Sequence, residues 1–288
     1  MNRQGSPWSS VAAAAVLVAA AAVVAWWYFS HRPTETSTTA PVASASAPAA
    51  SAAPAIRHPI GDAATPVPAS AATAPLPALD GSDAAVIDAL SSLPGAAGLR
   101  DLLLAQGVIP HLVATVDALP RHSIGSSIVP LHTPPGTFTV ARTGDAIAIA
   151  PANYARYDAY MQVADVIDAR ALVGWYARWY PLFQQAYRDL GYPNGYFNDR
   201  VIAAIDDMLG APEPAAAPAL APAEHGLYAF ADPALESLSV GQKLMIRVGP
   251  RNEARLKAKL RAIRAALTGR LPARDVPSGT SAAGDTAG

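Results

Sequence analysis

The chain has 288 residues, no cysteine and a formal net charge of −1 at pH 7. The absence of cysteine excludes disulfide bonds, thiolate metal ligands and a thiol nucleophile. Only residues 79–269 carry enough large apolar side chains to form a core, so we expect one folded domain.

The near-neutral total conceals two regions of opposite charge. Residues 79–242 contain 8 basic and 17 acidic side chains, a net charge of −9. Residues 243–274 contain 10 basic side chains and 1 acidic side chain, a net charge of +9. The sequence therefore predicts an acidic domain body that ends in a basic segment.

An uninterrupted apolar run, Val11 to Phe29, lies near the amino terminus. Its length suits a helix that crosses a bilayer, and the aromatic residues at its end suit a membrane interface. A cleaved secretory signal is the alternative, but the run is long for a signal and ends in bulky residues. We expect residues 1–32 to form a cytoplasmic stub and a single membrane anchor.

Residues 33–78 are dominated by Ala, Pro, Ser and Thr, which cannot offset the conformational entropy lost on folding. We predict a disordered linker there and a disordered tail at residues 270–288. Arg3 and Arg32 lie on opposite sides of the apolar run, so charge alone does not orient it. A long spacer suits a domain that stands off the inner membrane on the periplasmic side.

The first part of the domain is predicted to be helical. Asp83 to Leu93 carries apolar residues at helical spacing, and Ser82 can cap this helix. Leu99 to Gln106 and Val108 to Leu119 continue the pattern, although Pro110 interrupts it. We expect two short helices or one bent helix in this second region.

The apolar period changes from about 3.6 to 2 between Pro134 and Pro151. Phe138 and Val140 alternate with polar residues, turn-forming residues follow, and Ile147 resumes the alternation. This pattern predicts a small β-hairpin.

The central region is rich in aromatic residues. A helix is expected from about Tyr154 to Ile167, and Asp168 can cap the long helix that follows. Pro181 falls inside that long helix and predicts a kink.

The remaining elements are bounded by capping residues. Asn198 can cap the next helix, and Ala211 to Pro222 is predicted to be a loop. Asp232 and Ser239 can each cap a further helix, and Gly249 precedes the last one.

A series of phrases occurs in a characteristic order along the domain. They are Arg156-Tyr157, Tyr180 to Tyr187, Leu190 to Pro193, Phe197 to Arg200, Phe230 to Pro233, Leu235-Glu236 and Gly241 to Lys243. In this order they resemble an uncharacterised bacterial membrane-protein family, catalogued as domain of unknown function 3014. The resemblance runs from about Leu79 to Leu267. It implies an N-terminal membrane anchor and no established activity.

The long aromatic helix offers one candidate binding site. Four aromatic residues recur at intervals of four and form a stripe suited to a core: Trp175, Trp179, Phe183 and Tyr187. Tyr176 and Tyr180 fall outside that stripe, with Gln184 as a polar neighbour. These three residues are the candidates for a groove that binds a peptide or a sugar ring.

The basic final helix offers a second candidate. Opposite its apolar stripe of Leu256, Leu260 and Ile263 lie four basic residues: Arg251, Arg255, Lys259 and Arg261. Such a face suits lipid headgroups, an acidic wall polymer, an acidic protein or the acidic body of this domain. A merely solvated face is the simplest alternative.

No sequence motif predicts a catalytic centre. The six histidines lack the spacing of metal ligands, and we expect no metal or cofactor. Asp165 with Asp168, and Asp206 with Asp207, are the carboxylate pairs available to a hydrolase, although helix capping and solvation explain them more simply.

The sequence therefore predicts a mainly α protein with one transmembrane helix, a linker and a helical domain that includes a small hairpin. We expect a non-enzymatic binding or scaffold module that faces the periplasm and contacts an envelope protein or an anionic polymer. Nucleic acid is not an expected partner. The alternative function is a periplasmic hydrolase that acts on a wall polymer through paired carboxylates.

Overall fold

The computed structural model describes residues 55–60, 75–96, 98–122, 130–132, 134–223 and 228–269. The predicted membrane span, Val11 to Phe29, and the predicted tail at residues 270–288 lie outside these ranges. Within them, no helix is both long enough and apolar enough to cross a membrane.

The described chain is mainly helical, as expected. The helices are α1 (Asp83–Ser91), α2 (Val108–Ala118), α3 (Ala152–Ala155), α4 (Asp158–Val166), α5 (Ala169–Asp189), α6 (Phe197–Leu209), α7 (Pro233–Glu236), α8 (Val240–Arg247) and α9 (Pro250–Leu267). The strands are β1 (Val140–Thr143), β2 (Ala146–Ile149), β3 (Leu220–Pro222) and β4 (Tyr228–Phe230). Two 3-10 turns, Leu79–Gly81 and Arg100–Leu102, precede α1 and α2.

Helix α5 lies at the centre of the bundle and contacts α1, α2, α6 and α9. Its predicted core residues Trp179 and Phe183 are buried, and the Phe183 ring stacks on that of Phe197 at 5.8 Å. The apolar stripe of α9 is buried as well, with Leu256 and Leu260 fully enclosed. Removal of this apolar surface from water is the main force that holds the bundle together.

Tyr176 and Tyr180 are also buried, although they lie outside the predicted core stripe. The Tyr176 ring contacts that of Phe183 edge to face at 5.2 Å. Tyr176 lies seven residues, nearly two helical turns, before Phe183, so both rings face the same part of the core. Pro181, in the same helix, is exposed to solvent. The expectation that the two tyrosines are surplus to the core does not hold.

Two predicted helical segments are interrupted, the first because its backbone bonds to another part of the chain. In the segment Leu99 to Gln106, Leu104 N–H donates to Pro130 O at 2.9 Å, which leaves only a 3-10 turn. The helix expected from Tyr154 to Ile167 is split into α3 and α4. In α3, the Asn153 side chain exchanges hydrogen bonds with the main chain of Thr139 and so holds α3 against the hairpin.

The predicted hairpin is confirmed, with Thr143 paired to Ala146 across the β1–β2 turn. Gly144 adopts φ 57° in this turn, a conformation that other residues rarely accept. The predicted loop at Ala211 to Pro222 ends in β3, which pairs with β4 and joins β2 through a bridge between Ala148 and Ala219. Because each of these two strands has only three residues, neither is long enough to show a recognisable alternating pattern.

We predict that Trp179→Ala and Phe183→Ala each lower the free energy of unfolding by about 3–5 kcal/mol, because each leaves a cavity in the core. Chemical denaturation measures the change. Gln185→Ala, an exposed position on the same helix, should unfold like the wild type. A wild-type value for either aromatic variant would contradict the core assignment.

Candidate functional site

The turn between α5 and α6 forms a polar corner built around Gln184. The Gln184 Oε1 atom accepts hydrogen bonds from Tyr180 Oη at 2.8 Å and from Phe197 N–H at 2.9 Å. Its Nε2 atom donates to Gly195 O at 2.7 Å. Gln184, on α5, therefore caps the N terminus of α6. Both its side-chain oxygen and its side-chain nitrogen have hydrogen-bond partners within the domain.

Asn198 does not cap α6 as expected. Tyr196 flanks α6 at its N terminus, and Phe197 is the first helical residue. Asn198 is therefore the second residue of the helix. The fully buried Asn198 side chain instead faces another segment of the chain, as described below. Ser82 likewise does not cap α1: it lies in helical conformation, and its hydroxyl donates to Leu79 O at 2.7 Å.

The corner holds a short bent segment, residues 55–60, from within the predicted linker. The Asp199 carboxylate accepts the main-chain N–H of Arg57 at 3.0 Å and of His58 at 2.8 Å. The His58 ring also lies 3.1 Å from Asp199 Oδ1. Farther along the segment, Ile60 N–H donates to Tyr196 Oη at 3.1 Å, and Ile60 packs against the main core.

Asn198 completes this set of contacts by donating from Nδ2 to His58 O at 2.9 Å. We call Tyr196, Asn198 and Asp199 together the docking corner. All three are side chains that bind main-chain groups of segment 55–60, and Asp199 lies in the first turn of α6, where negative charge is favourable. No sequence pattern indicated this contact, because the partners lie about 140 residues apart.

The tyrosines of the predicted groove line the core side of the docking corner. The Tyr180 and Tyr196 ring centroids are 5.5 Å apart. Burial and the nearby Tyr196 hydroxyl raise the pKa of Tyr180, and burial raises the pKa of Tyr176 well above its ordinary value. Both phenols are therefore neutral at physiological pH. Tyr180 supports the corner from behind, while Tyr176 also lines the apolar cavity described below.

Two of the four basic side chains predicted on helix α9 contact the domain body. Arg255 Nε lies 2.9 Å from Asp165, and Lys259 Nζ donates to Ile167 O at 2.6 Å. Burial lowers the pKa of Lys259. Arg251 and Arg261 are exposed, and the described part of the chain gives neither an ion pair.

Lys257, on the same helix, forms ion pairs inside the domain. It is buried, and its Nζ lies 3.0 Å from the buried Glu253 and 2.6 Å from Glu213. Burial opposes its charge, but the hydrogen bonds to these carboxylates raise the pKa of Lys257 overall. The spacing of four residues between Glu253 and Lys257 was the signal that could have revealed the pair.

The four carboxylates considered for hydrolysis all take part in structural contacts. Asp168 caps α5 by accepting N–H groups from the helix, as predicted. Asp165 pairs with Arg255, and Asp206 pairs with Arg264 on α9. Asp207 accepts a hydrogen bond from the Ser239 hydroxyl at 2.6 Å and so joins α6 to α8.

A small apolar cavity of about 50 Å³ lies inside the bundle. Its lining includes Leu90, Val116, Trp175, Val201 and Leu267. Small-molecule sites typically enclose roughly 300–1,000 Å³, so this space is a packing void rather than a ligand site.

The described fold defines a mainly α-helical domain with a small antiparallel hairpin. Residues 108–264 match the family described as protein of unknown function DUF3014. Because that match covers more than half of the 288 residues, the chain belongs to this family, as the resemblance indicated. The comparisons with curated proteins and with solved structures gave no match.

Two double variants separate the roles of the four basic residues on α9. Arg255→Gln with Lys259→Gln should lower the melting temperature by a few degrees, because contacts with the body are lost. Arg251→Gln with Arg261→Gln should melt like the wild type but bind anionic vesicles more weakly and with less salt sensitivity. Thermal melts and vesicle sedimentation at two salt concentrations measure both effects. Unchanged melting and binding in both variants would show that the face is only solvated.

Proposed function

We propose that this protein is a membrane-tethered, non-enzymatic binding or scaffold module of the cell envelope. Val11 to Phe29 anchors it in the inner membrane, and the helical domain lies in the periplasm. Its partner is another envelope protein. The apolar run, the Ala/Pro/Ser linker and the docking corner are the features that support this proposal.

The docking corner is the observation that carries the binding function. Asp199, Asn198 and Tyr196 bind main-chain N–H and C=O groups of a short segment that bends at Arg57 and His58. Hydrogen bonds to main-chain amide groups are a common basis of peptide recognition. Sugar rings and lipid headgroups lack this regular series of amide groups, so the geometry favours a polypeptide partner.

An anionic wall polymer or membrane surface is the second candidate partner. Arg251 and Arg261 favour it, since both are exposed on one helix and have no ion pair within the described ranges. Arg255 and Lys259 contribute less, because their polar atoms already contact the domain body. This surface would supplement the docking corner by adding charge attraction.

The alternative function, hydrolysis of a wall polymer, requires one carboxyl group as an acid and another as a base or nucleophile. Single Asp168→Ala, Asp206→Ala and Asp207→Ala variants test it. We expect Asp168→Ala to lower the free energy of unfolding by about 1 kcal/mol through loss of the cap, and none of the three to abolish function in cells. Denaturation and complementation of a deletion strain measure these outcomes. Loss of function with full stability would favour the hydrolase.

The topology of the proposal can be tested with reporters. A reporter active only in the periplasm should be active when fused after Gly269, and the product should remain with membranes through a high-salt wash because the apolar run spans the bilayer. A reporter active only in the cytoplasm is the matched control and should be silent. Release by salt would overturn the anchor, and the opposite reporter pattern would reverse the orientation.

A further inference from the structure

The contacts of segment 55–60 indicate which residue types a peptide ligand of the docking corner needs at each position. Asp199 accepts two consecutive N–H groups, so neither of those two ligand positions accommodates proline. The next position is Pro59, whose nitrogen has no hydrogen to donate and receives no partner at the corner. At the position after it, Ile60 donates its N–H to Tyr196 and places its side chain against the core.

The side chains of the segment add a second level of selection. The His58 ring lies 3.1 Å from the Asp199 carboxylate, which favours a hydrogen-bond donor at that position. Ile56 is 55% exposed, so the first apolar position contributes little. The ligand chemistry is thus a short, bent peptide with a donor side chain, then proline, then a branched aliphatic residue.

We infer that the docking corner is a peptide-binding site and that residues 55–60 occupy it in cis, so that a partner's segment of this chemistry must displace them. This inference rests on the proposed function, because it names the ligand class and the regulation of the same site.

Because segment 55–60 belongs to the same chain, it competes strongly with a free peptide for the docking corner. A tethered ligand acts at an effective concentration of roughly millimolar when the connection is short. Residues 61–74 are the connection between the docked segment and the start of the domain. A free peptide with the same contacts therefore binds the wild-type chain more weakly than it binds a chain whose own segment cannot dock.

Docking also sets how much chain separates the domain from the predicted span. With segment 55–60 bound, residues 30–54 provide that separation. Release adds residues 61–74 and the segment itself. Displacement by a partner therefore lengthens the tether at the moment when the partner binds.

The test uses the full chain and a fluorescent peptide with the sequence of residues 55–60. In one variant, the empty-site variant, Arg57→Pro and His58→Pro remove both main-chain N–H groups that Asp199 accepts, so that the segment leaves the corner. Fluorescence anisotropy should show that this empty-site variant binds the peptide at least about ten-fold more tightly than the wild type. Adding Asp199→Ala to the empty-site variant should abolish binding, while adding Asp189→Ala, an exposed change at the end of α5, should not.

The outcomes separate the two proposals. Absence of binding to a folded empty-site variant would overturn peptide recognition, and with it the docking corner of the proposed function. Equal binding by the wild type and the empty-site variant would overturn cis occupancy and leave peptide recognition intact.

A second measurement does not depend on replacing the segment. Because the chain has no cysteine, Ile56→Cys gives one site for a nitroxide label. The label should be restrained in the wild-type background and become more mobile with Asp199→Ala or with excess peptide. Unchanged mobility in both cases would show that the segment does not occupy the corner.

Discussion

The structure depends on the enclosure of α5 by four other helices. Because Tyr176, Trp179 and Phe183 form one broad aromatic face on this helix, several helices must pack around that face to bury it. That requirement fixes the positions of α2, α6 and α9. It also places Gln184 where its side chain can cap α6, so the docking corner is a direct consequence of how the central helix is packed.

The opposite charges of the two chain regions are partly neutralised inside the domain. The apolar stripe of α9 docks the basic helix on the bundle, and Arg255 and Arg264 then reach acidic residues of α4 and α6. Exposed pairs of this kind contribute little to stability, whereas the buried Glu253 depends on Lys257, since without it Glu253 would be an unpaired buried charge. Part of the basic charge of α9 therefore forms an interface within the domain.

The docking corner differs from the rest of the surface in the kind of group that it binds. Its side chains bond to the backbone of a segment far away in the chain, while most other ion pairs and caps join elements of the bundle. A site that binds main-chain groups can bind many peptide sequences. Specificity then comes from a few side chains, here the donor side chain, the proline and the aliphatic residue. This suits a scaffold protein, whose partner is recognised by a short exposed segment rather than by a matching folded surface.

The sequence by itself determined the features that depend on neighbouring residues. Asp168 and Ser239 cap the helices that they precede, and the stripe of α9 is buried, because capping and helical periodicity act over a few residues. Tertiary structure decided which rings pack against Tyr176, since a helical pattern shows which residues share a face but not that Phe197 of α6 covers that face. It also decided the role of Asn198, whose partner His58 lies 140 residues away, a separation over which no local spacing carries information.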